Sequence, residues 1–234
     1  MPSVADIFTR VAGRYDRLNH ILSLGFDVLW RRRALARLGK LLGERAAGPL
    51  AILDIATGTA DFALAAAHRF PSARIEGVDL TPAMLAVGMR KVAAAGLAGR
   101  ISLQAGDAAD LPFADATFAV ALCAFGFRNF PDKLMSLRAA ARILENGGRL
   151  VVLEFFRPQS ALLGSLTAGW LRWATALLAS GTAADYAYLR TSIARTCSAG
   201  EFVTMAQAAG FAVERKELFL PACSCLILRK YGKM

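Results

Sequence analysis

The sequence predicts a doubly wound α/β sheet, on three observations. Apolar strand-like runs alternate with helix-like stretches from residue 50 to 155. A turn of small residues follows the first run, and an acid, Asp79, ends the second. Such alternation is the pattern of helices packed on both faces of a parallel sheet.

Residues 1–45 read as an N-terminal helical segment. Leu22, Phe26, Leu29, Ala36 and Leu42 fall loosely at helical spacing, with Arg31-Arg32-Arg33 on an intervening turn. The 50–155 block is the α/β core. Ala51–Ile55 is a strand, Asp61–Arg69 a helix and Arg74–Val78 a second strand. Thr81 is a good N-cap residue, with Pro82 in the first helical turn, where its missing N–H is not needed. Ile101–Ala105 is a third strand. Phe118–Ala124 is almost wholly apolar, as a central parallel strand should be. Lys133–Leu144 is helical and stops at Asn146-Gly147-Gly148, a C-cap signal, before a fifth strand at Arg149–Phe155.

After Pro158 the alternation breaks. Ser160–Ser180 and Tyr186–Thr196 read as consecutive helices, so 160–196 is expected to be a helical lid over a cofactor site, or else ordinary packing against the sheet. Residues 200–228 resume with a helix at Glu201–Ala209 and two strands, Ala212–Leu218 and Cys223–Leu228. Pro221 between them points to an antiparallel hairpin. The whole of 1–234 is expected to form one domain.

Net charge is +10, and nine Lys/Arg against four Asp/Glu in residues 1–45 supply half of it. Hydrophobic residues make up 56% of the chain, with a mean hydropathy of +0.42. Basic and apolar together suit an anionic membrane surface or a lipid-like substrate at least as well as nucleic acid; a solvated basic face is the plainer alternative. Leu162 to Ser180 is 19 residues long, but Arg172 sits mid-segment, where a bilayer would charge roughly 2.5–3.5 kcal/mol. A buried or interfacial helix is expected there, not a span. Cys123, Cys197, Cys223 and Cys225 form no C-x-x-C pair and lie far in sequence from His20 and His68. No metal site is expected, and the cysteines read as reduced core residues of a cytoplasmic protein. No signal peptide opens the sequence.

The turn Asp54-Ile55-Ala56-Thr57-Gly58-Thr59-Ala60-Asp61 carries the first chemical signal. It lets a ligand approach the backbone, and the helix behind it offers N–H groups and a positive dipole end. Asp79 follows Gly58 by 21 residues, well placed to grip a ribose diol. The turn lacks G-x-G-x-x-G and the chain has no phosphate loop, so NAD and nucleoside triphosphates are disfavoured. A turn with one glycine and an acid at Asp54 suits a ligand whose charged end is an amino acid, namely S-adenosyl-L-methionine. Gly106-Asp107-Ala108 follows the third strand. Asp107 can accept from an adenine amino group while the Ala108 N–H faces a ring nitrogen.

Several stretches are shared with a known family. Phe8-x-x-Val11-Ala12-x-x-Tyr15-Asp16-x-Leu18-Asn19, then Ser23-x-Gly25 and Trp30, form an N-terminal signature. Gly106-Asp107-Ala108 with Leu111-Pro112-Phe113, Phe125-Gly126-Phe127-Arg128-Asn129, Leu153-Glu154-Phe155, and Tyr186-x-Tyr188-Leu189-x-x-Ser192-Ile193 continue it. Through nearly its whole length the chain resembles the quinone-biosynthesis C-methyltransferases that act on ubiquinone and menaquinone precursors. The resemblance implies a class I, Rossmann-like S-adenosylmethionine-dependent methyltransferase with cofactor contacts at Thr59, Asp79, Asp107 and Ala108, beside the Gly58 already read from the turn. Ala124 stands where relatives often carry a serine, so only its backbone could serve. Thr57 and Ala60 replace glycines common in the turn. The strand around Cys223 lacks the Gly-Gly start and the histidine that relatives tend to show.

The resemblance also implies that Tyr15, Arg128 and Asn129 lie near the reacting groups. Arg128 cannot be a literal base, because guanidinium stays protonated. Stabilising a developing phenolate, directly or through a water, is its expected part, against a structural ion pair as the bland alternative. Asn129 would orient the ring or the cofactor, and Tyr15 would close the pocket. The expected substrate is a prenylated quinol, with peripheral contact at the inner membrane face, no nucleic acid, and a homodimer as the assembly considered. Two rivals stay open. One is an RNA or small-metabolite methyltransferase, although the chain shows no [DNS]-P-P-[YFW] run and no Pro-Cys dipeptide. The other is a non-catalytic subunit of a quinone-synthesis complex.

Overall fold

The computed structural model describes residues 8–10, 12–16, 20, 23, 25–177, 191–219 and 223–231. Its centre is one seven-stranded sheet. The strands are β1 (Ala51–Ile55), β2 (Arg74–Asp79), β3 (Ile101–Ala105), β4 (Phe118–Ala124), β5 (Leu144–Phe155), β6 (Phe211–Leu218) and β7 (Cys223–Lys230), in the order β3-β2-β1-β4-β5-β7-β6. The first five run parallel, and β7 pairs antiparallel with both β5 and β6. The predicted α/β class and the terminal hairpin are both present. Pro221, the residue expected at the hairpin's turn, lies outside the described residues, as do Leu18, Asn19, Leu22, Tyr186 and Tyr188.

Successive residues of each strand face opposite sides, so the sheet feeds two cores. Ile52, Val120, Leu122, Val151, Leu153 and Ile227 join one. Leu53, Ala121, Cys123, Val152, Leu226 and Leu228 join the other. Cys223 and Cys225 share the first face, as their alternation requires, and all four cysteines are free thiols. Burial pushes the Cys225 thiol up to about 12 and raises Cys123 and Cys223 as well, with the Glu154 charge adding to both.

The first core is covered by helices α1 (Phe26–Leu42) and α2 (Asp61–Arg69). Here the structure corrects the helical face read from the sequence. Phe26, Leu29 and Ala36 are exposed, and Trp30, Ala34, Leu35, Leu38 and Leu42 are buried. Nor do the three arginines interrupt the helix. Arg32 and Arg33 face solvent, while Arg31 is buried. The face is chosen by what lies opposite it. Ala63, Ala66 and Ala67 of α2 belong to the same core and are small enough to admit bulky side chains. Trp30 then sits among Phe26, Phe125, Phe155 and Phe219, with centroids 6.1–6.5 Å away.

Helix α3 (Pro82–Ala94) follows β2 with Thr81 at its N-cap position, but the Thr81 side chain makes no cap bond. Helix α4 (Lys133–Ile143) ends one residue early, and β5 starts at Leu144, not at Arg149. Asn146-Gly147-Gly148 therefore lies inside the strand. There the pairing of β4 with β5 slips between Phe118 and Val120, so the glycines make an irregularity in a ladder and not a helix cap. Helix α5 (Ala161–Leu177) lays Trp170 on Phe155 at 5.9 Å. Residues 191–195 are again helical. Helix α6 (Ala199–Ala208) opens on a capping box in which the Glu201 N–H donates to Ser198 Oγ at 3.2 Å and the Ser198 N–H donates to Glu201 at 2.6 Å. Among the described residues no helix is long and apolar enough to cross a membrane.

Candidate active site

The chain runs outward from β1 through β2 to β3, then returns to place β4 on the other side of β1. At such a reversal the two loops leave in opposite directions and open a crevice at the carboxyl ends of the strands. A cleft of about 170 Å³ lies there. Gly58, Asp79, Asp107, Ala108 and Ala124 all line it, as do Tyr15 and Asn129.

The β1 turn is shaped for close approach. Ala56, Gly58 and Ala60 have φ of 54°, 55° and 66°, in the left-handed region. Two alanines therefore hold a conformation that costs an L-residue roughly 1–2 kcal/mol and that glycine adopts freely. The Gly58 N–H donates to Asp79 Oδ2 at 2.9 Å, and the Thr81 N–H donates to Oδ1 at 2.8 Å. Burial raises the Asp79 pKa, and these N–H groups oppose the rise. Each oxygen keeps a lone pair, so the carboxylate can still accept from a diol. Asp107 Oδ1 accepts from the Ala109 N–H at 2.9 Å. Among the described residues no Lys or Arg lines the cleft, and two acids do. That lining suits a nucleoside carrying a cation, such as a sulfonium, better than one carrying phosphates.

Asp54 lies beneath the turn. Its Oδ2 accepts from Thr57 Oγ1 at 2.7 Å and from the Ala63 N–H at 3.1 Å, so it takes one of the free N–H groups at the start of α2. Burial pushes its pKa up to about 7 against both hydrogen bonds. Thr59 is buried, and its hydroxyl donates to Asp16, to which Lys91 Nζ also donates at 2.7 Å. Lys91 bonds Asp61 too, so this network fastens the N-terminal segment to α2 and α3. Tyr15 next to Asp16 thereby reaches the cleft, edge-on to Phe8 with ring centroids 5.7 Å apart.

On the other wall, Phe125 has φ 59° and Gly126 follows it. A Cβ on Gly126 would lie 2.6 Å from the Ala56 Cβ, so only glycine lets the β4 loop close against the β1 turn. The short 3-10 turn Phe127–Asn129 then sends Asn129 toward the cleft and Arg128 inward. Arg128 Nη1 donates to Glu154 Oε1 at 2.8 Å and to the Phe125 carbonyl at 2.6 Å. Arg128 is not among the residues that line the cleft, and it makes an ion pair with Glu154. No described residue of 160–196 lines the cleft either; Phe8 and Tyr15 do.

Arg31, Asp27 and Asp61 gather beside the turn: the four-residue spacing on one helix could have signalled the Asp27–Arg31 pair, but only the fold brings Asp61 to it from the start of α2. Arg31 Nη1 donates to Asp27 at 2.6 Å. Burial works against the Asp27 charge, but the Ser23 hydrogen bond and Arg31 together hold its carboxyl below the usual range. His20, Asp27 and Asp61 come close enough to resemble a metal cluster. Arg31 and Lys91 already supply positive charge to both acids.

The same architecture occurs in a SAM-dependent methyltransferase from Aquifex aeolicus, with a TM-score of 0.61 at 15% identity, covering 84% of this chain and 89% of that one. The likeness shows the Rossmann-like fold. The chain belongs to the ubiE/COQ5 methyltransferase family, whose profile matches residues 2–225, and this makes it an S-adenosylmethionine-dependent methyltransferase. It is 39% identical over 219 residues to a demethylmenaquinone methyltransferase of Deinococcus radiodurans, covering 92% of this chain and 88% of that one. It is 42% identical over 210 residues to the protein of the same name from Thermus thermophilus, covering 88% and 92%. A ubiquinone/menaquinone biosynthesis C-methyltransferase UbiE of Geotalea daltonii is 42% identical over 164 residues, covering 70% and 67%.

Proposed function

We propose that this protein methylates a ring carbon of a prenylated quinol, converting demethylmenaquinol to menaquinol. The observation that carries the reading is the family match, together with the names of the two relatives that span most of the chain. Gly58, Thr59, Asp79, Asp107, Ala108 and Ala124 would hold the methyl donor, with Asp79 on the ribose and Asp107 on the adenine. The donor supplies an activated methyl group. The protein's task is to align the ring carbon behind it, a matter of orientation and excluded water. Bound there, the donor would supply its methyl to the ring carbon and leave as the neutral thioether, and the ring proton would pass to solvent.

Tyr15 and Asn129 stand at the cleft wall, where they would close the pocket and orient the quinol. Arg128 is assigned a positioning part: its bonds to Glu154 and the Phe125 carbonyl hold the loop that carries Asn129. Contact with an anionic membrane surface fits the exposed Phe26, Val28 and Leu29 on α1, followed by exposed Arg32 and Arg33. The deciding experiment supplies purified protein and S-adenosylmethionine with a prenyl naphthoquinone, either reduced or oxidised. Methylation should require the reduced ring, since oxidation removes the hydroxyl that enriches the carbon. Equal rates with both forms would sink the reading.

A further inference from the structure

Helices α1 and α2 lie side by side. Asp61 at the start of α2 faces Arg31, and Arg69 at its end reaches Gly39. Between the two helices runs a groove of about 540 Å³, within the roughly 300–1,000 Å³ range of ligand clefts. It shares no described lining residue with the cleft that Asp79 and Asp107 line. Val28, Leu35 and Ala65 give it apolar walls, and the exposed Arg32, His68 and Arg69 give it a basic rim.

The charges in this groove do not balance. Arg31 is paired with Asp27 at 2.6 Å, and Asp61, the one acid among the described lining residues, is bonded to Lys91. Arg32 and Arg69 are left over. Neither has a carboxylate at ion-pair distance among the described residues. Arg69 is also held in place. Its guanidinium carbon lies 5.2 Å from the centre of the Phe70 ring. The same group rests against α1 at Gly39, where a Cβ would lie 2.6 Å from Arg69 Nη2. A cation in the last turn of α2 answers that helix's dipole. The dipole gives no reason for Arg32 to line the same groove from α1.

The groove therefore suits an anion that tolerates apolar walls, and α1 narrows the choice. Phe26, Val28 and Leu29 are exposed on its first turn, and Arg33, Ala36 and Lys40 are exposed after them. A helix of this make-up lies in the headgroup layer of a bilayer, with apolar side chains toward the acyl chains and basic ones among the phosphates. Val28 belongs both to this exposed set and to the groove. Nucleic acid would meet the same charge but would leave the apolar turn in water.

We propose that the groove between α1 and α2 seats the headgroup of an acidic phospholipid, with Arg32 and Arg69 on its phosphate, and so docks the protein on an anionic membrane. The assignment rests on the membrane contact proposed above and gives that contact a specific site. It also sets an orientation. Trp30 of α1 packs on Phe125, which lines the cleft, so the docked helix keeps the cleft near the bilayer that would hold a prenylated ring.

The test is partitioning of the full-length protein onto phosphatidylcholine vesicles with and without phosphatidylglycerol, at one near-physiological salt concentration. The parent should bind the anionic vesicles about ten-fold or more tighter than the neutral ones. Arg32→Gln/Arg69→Gln should weaken anionic-vesicle binding about thirty-fold, and Arg33→Gln/Lys40→Gln, which removes the same charge from α1 outside the groove, about five-fold or less. Gly39→Ala leaves the net charge unchanged and displaces the Arg69 guanidinium; it should weaken binding about three-fold or more. Equal losses from the two double variants, or parent-like binding by Gly39→Ala, overturn the site and leave a diffuse basic face. No preference of the parent for anionic vesicles overturns the membrane contact itself, and the site with it. Tighter binding of single-stranded RNA than of anionic vesicles, lost in Arg32→Gln/Arg69→Gln, gives the groove to nucleic acid and overturns the assignment. Methylation of the quinol in neutral detergent micelles should stay within about two-fold of the parent in every variant, so failure of the site leaves the methyltransferase reading standing. A collapse of that turnover would place the groove in catalysis and overturn the docking assignment.

Discussion

Arg128 and Glu154 meet twice. The Arg128 guanidinium donates to Glu154 Oε1 at 2.8 Å, and the Arg128 backbone N–H donates to Oε2 at 3.0 Å. Glu154 is fully buried at the end of β5, and its Oε1 also accepts from the Phe155 N–H at 2.7 Å. One carboxylate therefore ties the loop after β4 to the neighbouring strand. Glu154→Ala is expected to destabilise the protein by about 3–5 kcal/mol, because it leaves a buried guanidinium without its counter-ion. Glu154→Gln, which keeps the acceptor oxygen, should lose less. Urea unfolding of the two variants beside the parent checks this ordering; similar losses for both would contradict it.

Gly126 and Ala56 make the second prediction. Gly126→Ala puts a methyl 2.6 Å from the Ala56 Cβ, so the two loops that frame the cleft must separate. A loss of about 1–3 kcal/mol is expected from the overlap, with weaker binding of S-adenosylhomocysteine. Adding Ala56→Gly removes the opposing methyl and should restore most of both. A double variant as impaired as the single one would show that the contact is not the cause.

The third concerns Asp54. Its pKa in the folded protein, about 7, lies above the ordinary 3.8, so folding binds a proton that the unfolded chain releases. This contribution to stability is fully present below about pH 4 and is lost as pH rises through about 7. Both donors reach Oδ2, so an amide oxygen at this position can accept them without ionising. Asp54→Asn should therefore gain on the parent between pH 4 and 8, by on the order of a few kcal/mol. Urea midpoints of the two proteins across that range are the measurement, and parallel curves would refute the prediction.

Much of the fold was legible because strands and turns are local. The apolar run Phe118–Ala124 needs no partner to read as a buried strand, and it lies at the centre of the sheet. Asp79 could be placed at the end of β2 from its distance to Gly58 alone. The helical face of α1 was not legible, because Phe26 and Leu29 are as apolar as Leu35 and Leu38. Only the alanine-rich surface of α2 decides between them. The Asn146-Gly147-Gly148 signal misled for a related reason: glycines that can end a helix can equally relieve an irregular strand.

By itself, the sequence determined the α/β class, the small-residue turn after β1, the acids at Asp79 and Asp107, and the family. Each of these follows from residue type at a short spacing. Tertiary structure alone decided the direction of Arg128, turned inward to Glu154 while its neighbour Asn129 reaches the cleft. It also decided that Arg31, one of three consecutive arginines, is the buried one. Side-chain direction and charge pairing depend on what the fold brings opposite, from 26 residues away for Arg128 and 30 for the Arg31–Asp61 pair. A buried guanidinium needs carboxylates to meet it; Asp27 is one helical turn from Arg31, but Asp61 and Glu154 reach their arginines from elsewhere in the chain, so packing completes both places.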